Sequence, residues 1–365
     1  MTQICFSAHE AYLPAAIEEL RAIFPEAVFT SLGPDLGAIA GDGVSIVSVH
    51  DAVMARDTAT PVAFVRHLFR EVAVLPLPAD IDALGAVLEE ALETWQQMML
   101  PETVSLQVWA SVAEGEEAPA LPVRMDELWH LVAEGLGDEG FTVRRAGAEH
   151  VLSACVTPDA IVLGSNRAEN ALSDWPGGRI RLAKPKGQIA RSEFKLEELM
   201  RGVGLRFPEG RALDLGAAPG GWTRILRAQG MPVTAVDPGA LDPRIARDPG
   251  VTHIRKTAGV FLKESSQRFD LVVNDMRMAP SLSVDLMLSC WAHLTPDGMI
   301  VVTLKLSPHR AAETVRQCVM RLRQRYEIAF VRQLQHNRNE VTVVGRRRNL
   351  AGPEAERIAG GTGGC

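Results

Sequence analysis

At 365 residues the chain is too long for one ordinary core and calls for two or three domains. Its 47% hydrophobic and 23% charged residues are a globular composition, which excludes a disordered polymer. No apolar run approaches the roughly 20 residues that a membrane helix needs, and residues 1–14 lack the pattern of a secretory signal, so no membrane partner is expected.

In chain order, residues 3–8 read as a short strand and 11–24 as a helix, with Leu13, Ile17, Leu20, Ile23 and Phe24 on one face. Residues 27–31, 36–40 and 44–50 read as strands between Gly, Pro and Asp turns, and an apolar run continues over 61–74. Residues 1–78 therefore form an α+β unit. A helix over 80–99, a strand over 103–112, an acidic loop over 115–122, a helix over 124–135 and strands over 141–143, 150–156 and 160–163 make a second α+β unit, 79–170. Residues 171–190 lack periodicity, contain Gly177, Gly178, Pro185 and Gly187, and read as a linker with a basic stretch.

From 191 to 348 strands and helices alternate. Helices are predicted over 193–202, 222–228, 282–294 and 311–326. Strands are predicted over 211–215, 233–236, 251–255, 269–274, 298–304, 327–334 and 340–344. This is the pattern of an α/β, Rossmann-like domain with a seven-stranded, mostly parallel sheet. The last two strands are joined by a connector of hairpin length, so one of them runs antiparallel. Residues 349–365 are Gly-rich and read as a disordered tail.

Charge divides the chain. The net charge of −7 hides a strongly acidic stretch over 1–174, which has no lysine, and a strongly basic one over 175–348. A basic domain attracts phosphate backbones and an acidic one does not. Cys5, Cys155, Cys290, Cys318 and Cys365 are scattered singly with no Cys-x-x-Cys, so neither a zinc knuckle nor a disulfide framework is indicated, and a reducing, cytoplasmic setting is expected.

The most informative stretch is Asp214-Leu-Gly216-Ala217-Ala-Pro219-Gly220-Gly221-Trp222. It reads as a strand, a glycine-bearing turn and a helix, where backbone N–H groups and a helix N-terminus meet a ligand. The spacing is not Gly-x-Gly-x-x-Gly. Asp214 at the strand end suits a ligand with a cationic group better than a diphosphate, which favours S-adenosylmethionine over NAD. Ligands of parallel sheets lie beyond the carboxyl ends of the strands. Asp237, Asp275 and Lys305 all end strands, and Glu340 joins them if the seventh strand is the antiparallel one. Lys195, on the helix before the first strand, reaches the same crevice. Asp237 suits the ribose hydroxyls of an adenosine.

At these residues the chain resembles the FtsJ-like ribose 2′-O-methyltransferases. The resemblance rests on residues 192–196, 214–222, 273–275, 304–306 and 339–341 and covers about 190–348. The family's Lys-Asp-Lys-Glu tetrad lands on Lys195, Asp275, Lys305 and Glu340. The preceding element order is similar to a ferredoxin-like unit followed by a THUMP domain, as in bacterial enzymes that methylate a cytidine ribose of 23S rRNA. The resemblance implies methyl transfer from S-adenosylmethionine to an RNA 2′-hydroxyl. Lys305 would serve as the base or orient the hydroxyl. Asp214, Gly216, Ala217, Pro219, Gly220, Gly221, Trp222, Asp237 and Asp275 would hold the cofactor. No metal is called for. A non-catalytic RNA-binding or ribosome-assembly factor with a methyltransferase fold is the alternative, and the intact tetrad argues against it.

Overall fold

The computed structural model describes residues 3–349 except 114 and 118, so the tail expected over 349–365 lies, Asn349 apart, outside the described residues. The chain forms two compact units. Among the described residues, one holds those up to 55, 62–181 and 308–312, and the other 56–61, 182–307 and those from 313 on.

The first unit is built on one eight-stranded sheet. Its elements are β1 (Ile4–Ser7), α1 (Leu13–Ile23), β2 (Val28–Gly33), β3 (Leu36–Ala40), α2 (Ile46–Met54) and β4 (His67–Pro76), then α3 (Ile81–Gln96), β5 (Thr103–Ala110), α4 (Met125–Asp138), β6 (Thr142–Arg144), β7 (His150–Val156) and β8 (Ala160–Arg167). The strand order is β2-β3-β1-β4-β8-β7-β5-β6. Antiparallel pairing of β4 with β8, from Arg70↔Ser165 to Pro76↔Ala160, makes the sheet continuous across the two α+β segments. Helices α3 and α4 bury Leu84, Val87, Ala91 and Trp95, and Leu128, Val132 and Leu136, in one cluster with β5, β7 and β8. The Asp80 carboxylate accepts from Ala83 N at 2.8 Å and starts α3.

One predicted strand is corrected. Residues 44–50 are not extended, because α2 begins at Ile46. Ser45 caps it, its hydroxyl accepting from Ser48 N while the Ser48 hydroxyl accepts from Ser45 N. Val49 and Val53, four apart, are buried, so the β-branched run serves a helical face.

The second unit contains α5 (Glu193–Arg201), β9 (Ala212–Leu215), α6 (Gly221–Ala228), β10 (Val233–Val236), α7 (Pro243–Ala246), β11 (Val251–Ile254), α8 (Ala258–Glu264) and β12 (Phe269–Asn274). It continues with α9 (Pro280–Cys290), β13 (Leu294–Lys305), α10 (Ala311–Leu322), β14 (Tyr326–Arg332) and β15 (Glu340–Arg347). The sheet order is β11-β10-β9-β12-β13-β15-β14. Strands β9 to β13 pair in parallel, β14 and β15 form the antiparallel hairpin that the short connector requires, and β15 is the one that runs against β13. The helix expected over 282–294 is α9 to Cys290 and then a 3-10 turn, Trp291–His293, and the one expected over 311–326 stops earlier, at Leu322. The chain then turns into strands that bury Leu294 and Tyr326 completely. The short helices α7 and α8 carry too few residues for a periodic signal. Leu196, Leu199, Trp222, Ile225, Leu226, Leu271, Val273 and Val301 pack α5 and α6 onto one face of the sheet.

Candidate active site

Strand β9 ends at Leu215 and the chain turns sharply. Gly216 has φ 73° and Gly220 φ 109°, conformations in which a side chain is strained. A Cβ on Gly216 would stand 2.1 Å from Met276 Cγ, and one on Gly221 2.8 Å from the Ala190 Cβ. Pro219 follows a cis peptide bond, and its carbonyl accepts from Asp242 N at 2.8 Å. The turn is tied to β10 through Gly216 N, 2.9 Å from the Val236 carbonyl, and Ala217 N, 3.3 Å from it. Asp237 fixes the same loop from the end of β10. Its carboxylate accepts from Ala218 N at 3.2 Å and Gly239 N at 2.6 Å. Trp222 is buried and donates its indole N–H to the Ser192 carbonyl at 2.8 Å, which fastens α6 to the start of α5.

Asp214 lies beneath the turn and is 2% exposed. It accepts the Thr223 hydroxyl at 2.6 Å. Burial pushes its carboxyl up to about 7; the Thr223 bond opposes that rise, and the charges of Asp275 and Asp237 add to it. A buried acid so disfavoured as an anion is matched by a cation bound nearby. This carboxylate beneath the glycine turn therefore fits a ligand such as S-adenosylmethionine, which carries both an ammonium and a sulfonium.

The register of β13 and β15 sets Lys305 directly opposite Glu340. Asp275 follows β12, the parallel neighbour of β13. Lys195 projects from α5 onto the same edge. Its Nζ donates to Asp275 Oδ1 at 2.8 Å and Oδ2 at 3.0 Å, and to Glu340 Oε2 at 2.5 Å. Lys305 Nζ stands 2.7 Å from Asp275 Oδ1 and 3.1 Å from Glu340 Oε1. The two amines and two carboxylates thus alternate in one closed, charge-balanced ring. Burial works against the Lys195 ammonium, but Asp275 and Glu340 outweigh it and hold its pKa above the ordinary value. Burial likewise disfavours the Asp275 anion, and Lys195 and Lys305 overcome it and hold the acid below its usual range.

A model of the FtsJ-like methyltransferase domain matches residues 188–344. The ribosomal RNA large subunit methyltransferase M of Alkalilimnicola ehrlichii is 32% identical over 305 residues, 79% of this chain and 81% of that one. This chain belongs to the ribosomal RNA large subunit methyltransferase M family. The Halorhodospira halophila relative of the same name is 38% identical over 177 residues, so that match spans only 47% of this chain and 51% of the relative. The Methylococcus capsulatus relative is 34% identical over 249 residues, 64% and 68% of the two chains. Among solved structures, TrmN from Thermus thermophilus aligns over 95% of this chain and 100% of its own at 16% identity, with a TM-score of 0.39.

In this member of the methyltransferase M family, Lys195, Asp275, Lys305 and Glu340 meet. Asp214, Asp237 and the glycine turn line the neighbouring strand ends. Three residues at the site escape a sequence reading. Thr303 donates to Asp275 Oδ1 at 2.6 Å and accepts from Lys305 Nζ at 2.9 Å. It stands two residues before Lys305 on one strand, so the two-residue alternation of side chains was the available signal. Glu193 is fully buried and accepts from Ile189 N at 2.6 Å and Ala190 N at 2.9 Å, while Arg224 Nε donates to it at 2.8 Å. It braces the segment that abuts Gly221. Met276 covers Gly216, and its N–H is held by Asn274 Oδ1 at 2.9 Å. A cleft of about 430 Å³ lined by Asp297, Glu327 and Arg346 to Arg348 is not part of this site. Arg346 pairs with Met299, at the opposite end of the strands from Lys305 and Glu340. Among the described residues no group of His, Cys, Asp and Glu is arranged to hold a metal, and no helix is long and apolar enough to cross a membrane.

Proposed function

We propose that the protein transfers a methyl group from S-adenosylmethionine to a ribose 2′-hydroxyl of 23S rRNA, at a cytidine, in the cytoplasm. The observation that carries this reading is the ring of Lys195, Asp275, Lys305 and Glu340 at the strand ends beside the glycine turn. Four residues spread over 145 positions have no structural need to share one polar cluster; a sugar hydroxyl needing proton management gives them one. Membership of the methyltransferase M family supports the rRNA substrate. The expected ferredoxin-like unit over 1–78 and THUMP-like unit over 79–170 belong to the same reading.

When bound, S-adenosylmethionine supplies an electrophilic methyl on a cationic sulfur. Asp214 would hold its cationic end, the turn at residues 216–221 would let it approach the backbone closely, and Asp237 would hold its ribose. The work of the protein is then orientation, because an in-line displacement gains chiefly from aligned reactants. A sugar hydroxyl is a poor nucleophile until its proton leaves. Lys305 carries that role: as the neutral amine it would receive the 2′-hydroxyl proton, and as the ammonium of the ring it would direct the oxygen's lone pair. Asp275, Glu340 and Thr303 fix the Lys305 amine in place, and Lys195 offsets part of the charge of the two carboxylates, so that they repel the RNA backbone less.

The test is transfer of labelled methyl groups from S-adenosylmethionine to unmodified large-subunit rRNA, with the modified nucleotide mapped. A single 2′-O-methylcytidine is expected. Methylation on a base, or no transfer by the folded chain, would overturn the assignment.

A further inference from the structure

Among the buried polar residues of helix α5, Glu198 faces away from the ring. It lies three residues after Lys195, with its side chain only 8% exposed. Its carboxylate contacts no member of the ring. It accepts from Gln335 N at 2.7 Å, from His336 N at 2.9 Å, and lies 2.7 Å from His336 Nδ1. The His336 ring stacks on Phe194, one turn before Glu198, with centroids 4.9 Å apart. Arg332, whose pKa burial pushes down to about 10, is partly supported by the Glu198 charge. All these partners sit on or beside the connector from β14 to β15, and that connector delivers Glu340.

We propose that Glu198 is a positioning residue for the methyl-transfer site, acting on Glu340 through residues 335–339. One helix then holds the connector twice: Glu198 pins its start by the backbone, and Lys195 takes the carboxylate at its end. Between the two holds, Leu306 N donates to the Asn339 carbonyl at 2.7 Å and ties the connector to the residue after Lys305. A buried carboxylate that accepts backbone N–H groups sets position stiffly, since any shift leaves an anion and two donors unsatisfied. A charge placed there costs desolvation that a simple apolar contact would avoid, so fixing the register of Glu340 against α5 is the return for it.

This rests on the methyl-transfer reading and is tested in two arms. In Glu198→Gln, the amide presents N–H where only an acceptor serves. Turnover on RNA is expected to fall about 10- to 100-fold, as for a misplacement of a catalytic group by a fraction of an ångström. The KM for RNA and the affinity for S-adenosylmethionine should stay within about twofold. In a Glu340→Gln background the same substitution should cost almost nothing further, because its effect passes through Glu340. Losses that multiply in the double variant, or unchanged turnover in Glu198→Gln, would overturn the proposal. The second arm needs no activity: amide hydrogen exchange at 335–341 should speed up in Glu198→Gln and, more weakly, in His336→Ala, with α6 unaffected. Unchanged exchange over 335–341 would also overturn it. If the wild-type chain methylates no RNA, the functional reading fails while the exchange arm still decides the role of Glu198.

Discussion

Asp214→Asn separates the cost of the site from its use. The wild-type carboxyl is pushed up to about 7 in the folded chain from an ordinary 3.8. That is about 3 pKa units, or about 4 kcal/mol at roughly 1.36 kcal/mol per unit. The sign follows from proton counts. Between about pH 4 and pH 7 the folded state keeps a proton that the unfolded state has lost, so stability from this group is full at acid pH and is lost as pH rises through 7. The amide cannot ionise, and its oxygen still accepts the Thr223 hydroxyl. Its buried N–H₂ gains no evident partner, which costs about 1–3 kcal/mol. Measured by urea denaturation at a series of pH values, Asp214→Asn should gain on the wild type as pH rises from about 5 to 8. Near pH 8 it should be about 1–3 kcal/mol more stable than the wild type, by difference. At pH 8 its affinity for S-adenosylmethionine, read by calorimetry, should be at least tenfold below that of the wild type, about 1.4 kcal/mol, because the counter-charge for the ligand's cations is gone. A stability difference independent of pH would refute the argument, as would one that widens against the variant as pH rises.

Other outcomes follow from the same geometry. Lys305→Ala should keep S-adenosylmethionine binding and lose turnover by on the order of 10²–10⁴-fold, and near-normal turnover would remove Lys305 from its role. Gly216→Ala should weaken cofactor binding and lower stability by about 1–3 kcal/mol, since φ 73° and the Met276 contact both oppose a methyl group; an unaltered melting temperature would contradict this. His67 is fully buried against Trp109, with its pKa lowered to about 4 from 6.5 chiefly by burial. Here the folded state binds fewer protons, so its contribution of about 3 kcal/mol is present above pH 6.5 and lost as pH falls through 4. His67→Gln should flatten the acid limb of the stability profile, and an unchanged limb would locate the sensitivity elsewhere. RNA affinity of the full chain should fall steeply with salt if the basic half makes the contacts, and a shallow dependence would indicate otherwise.

The parts of this site legible in the sequence are those whose chemistry is local. The run from Asp214 to Trp222 announces a turn because glycine and proline constrain the backbone wherever they occur. The length of the connector before Glu340 requires β14 and β15 to form a hairpin, but the register Lys305↔Glu340 belongs to the pairing of β15 with β13 and is read only from the sheet. Residues 44–50 misled because Val and Ile favour strands, while the burial of Val49 and Val53 that made them helical came from the rest of the fold. The acidic residues of α5 were opaque for a deeper reason. Glu193, Glu197 and Glu198 look like a solvated helix face, yet all are buried. The partners of Glu193 and Glu198 include backbone N–H groups at 189–190 and 335–336, which every sequence possesses and none advertises. The ring of four is visible in the side chains that compose it. What keeps it in register is main chain held by buried carboxylates, and that becomes readable only once the path of the chain is known.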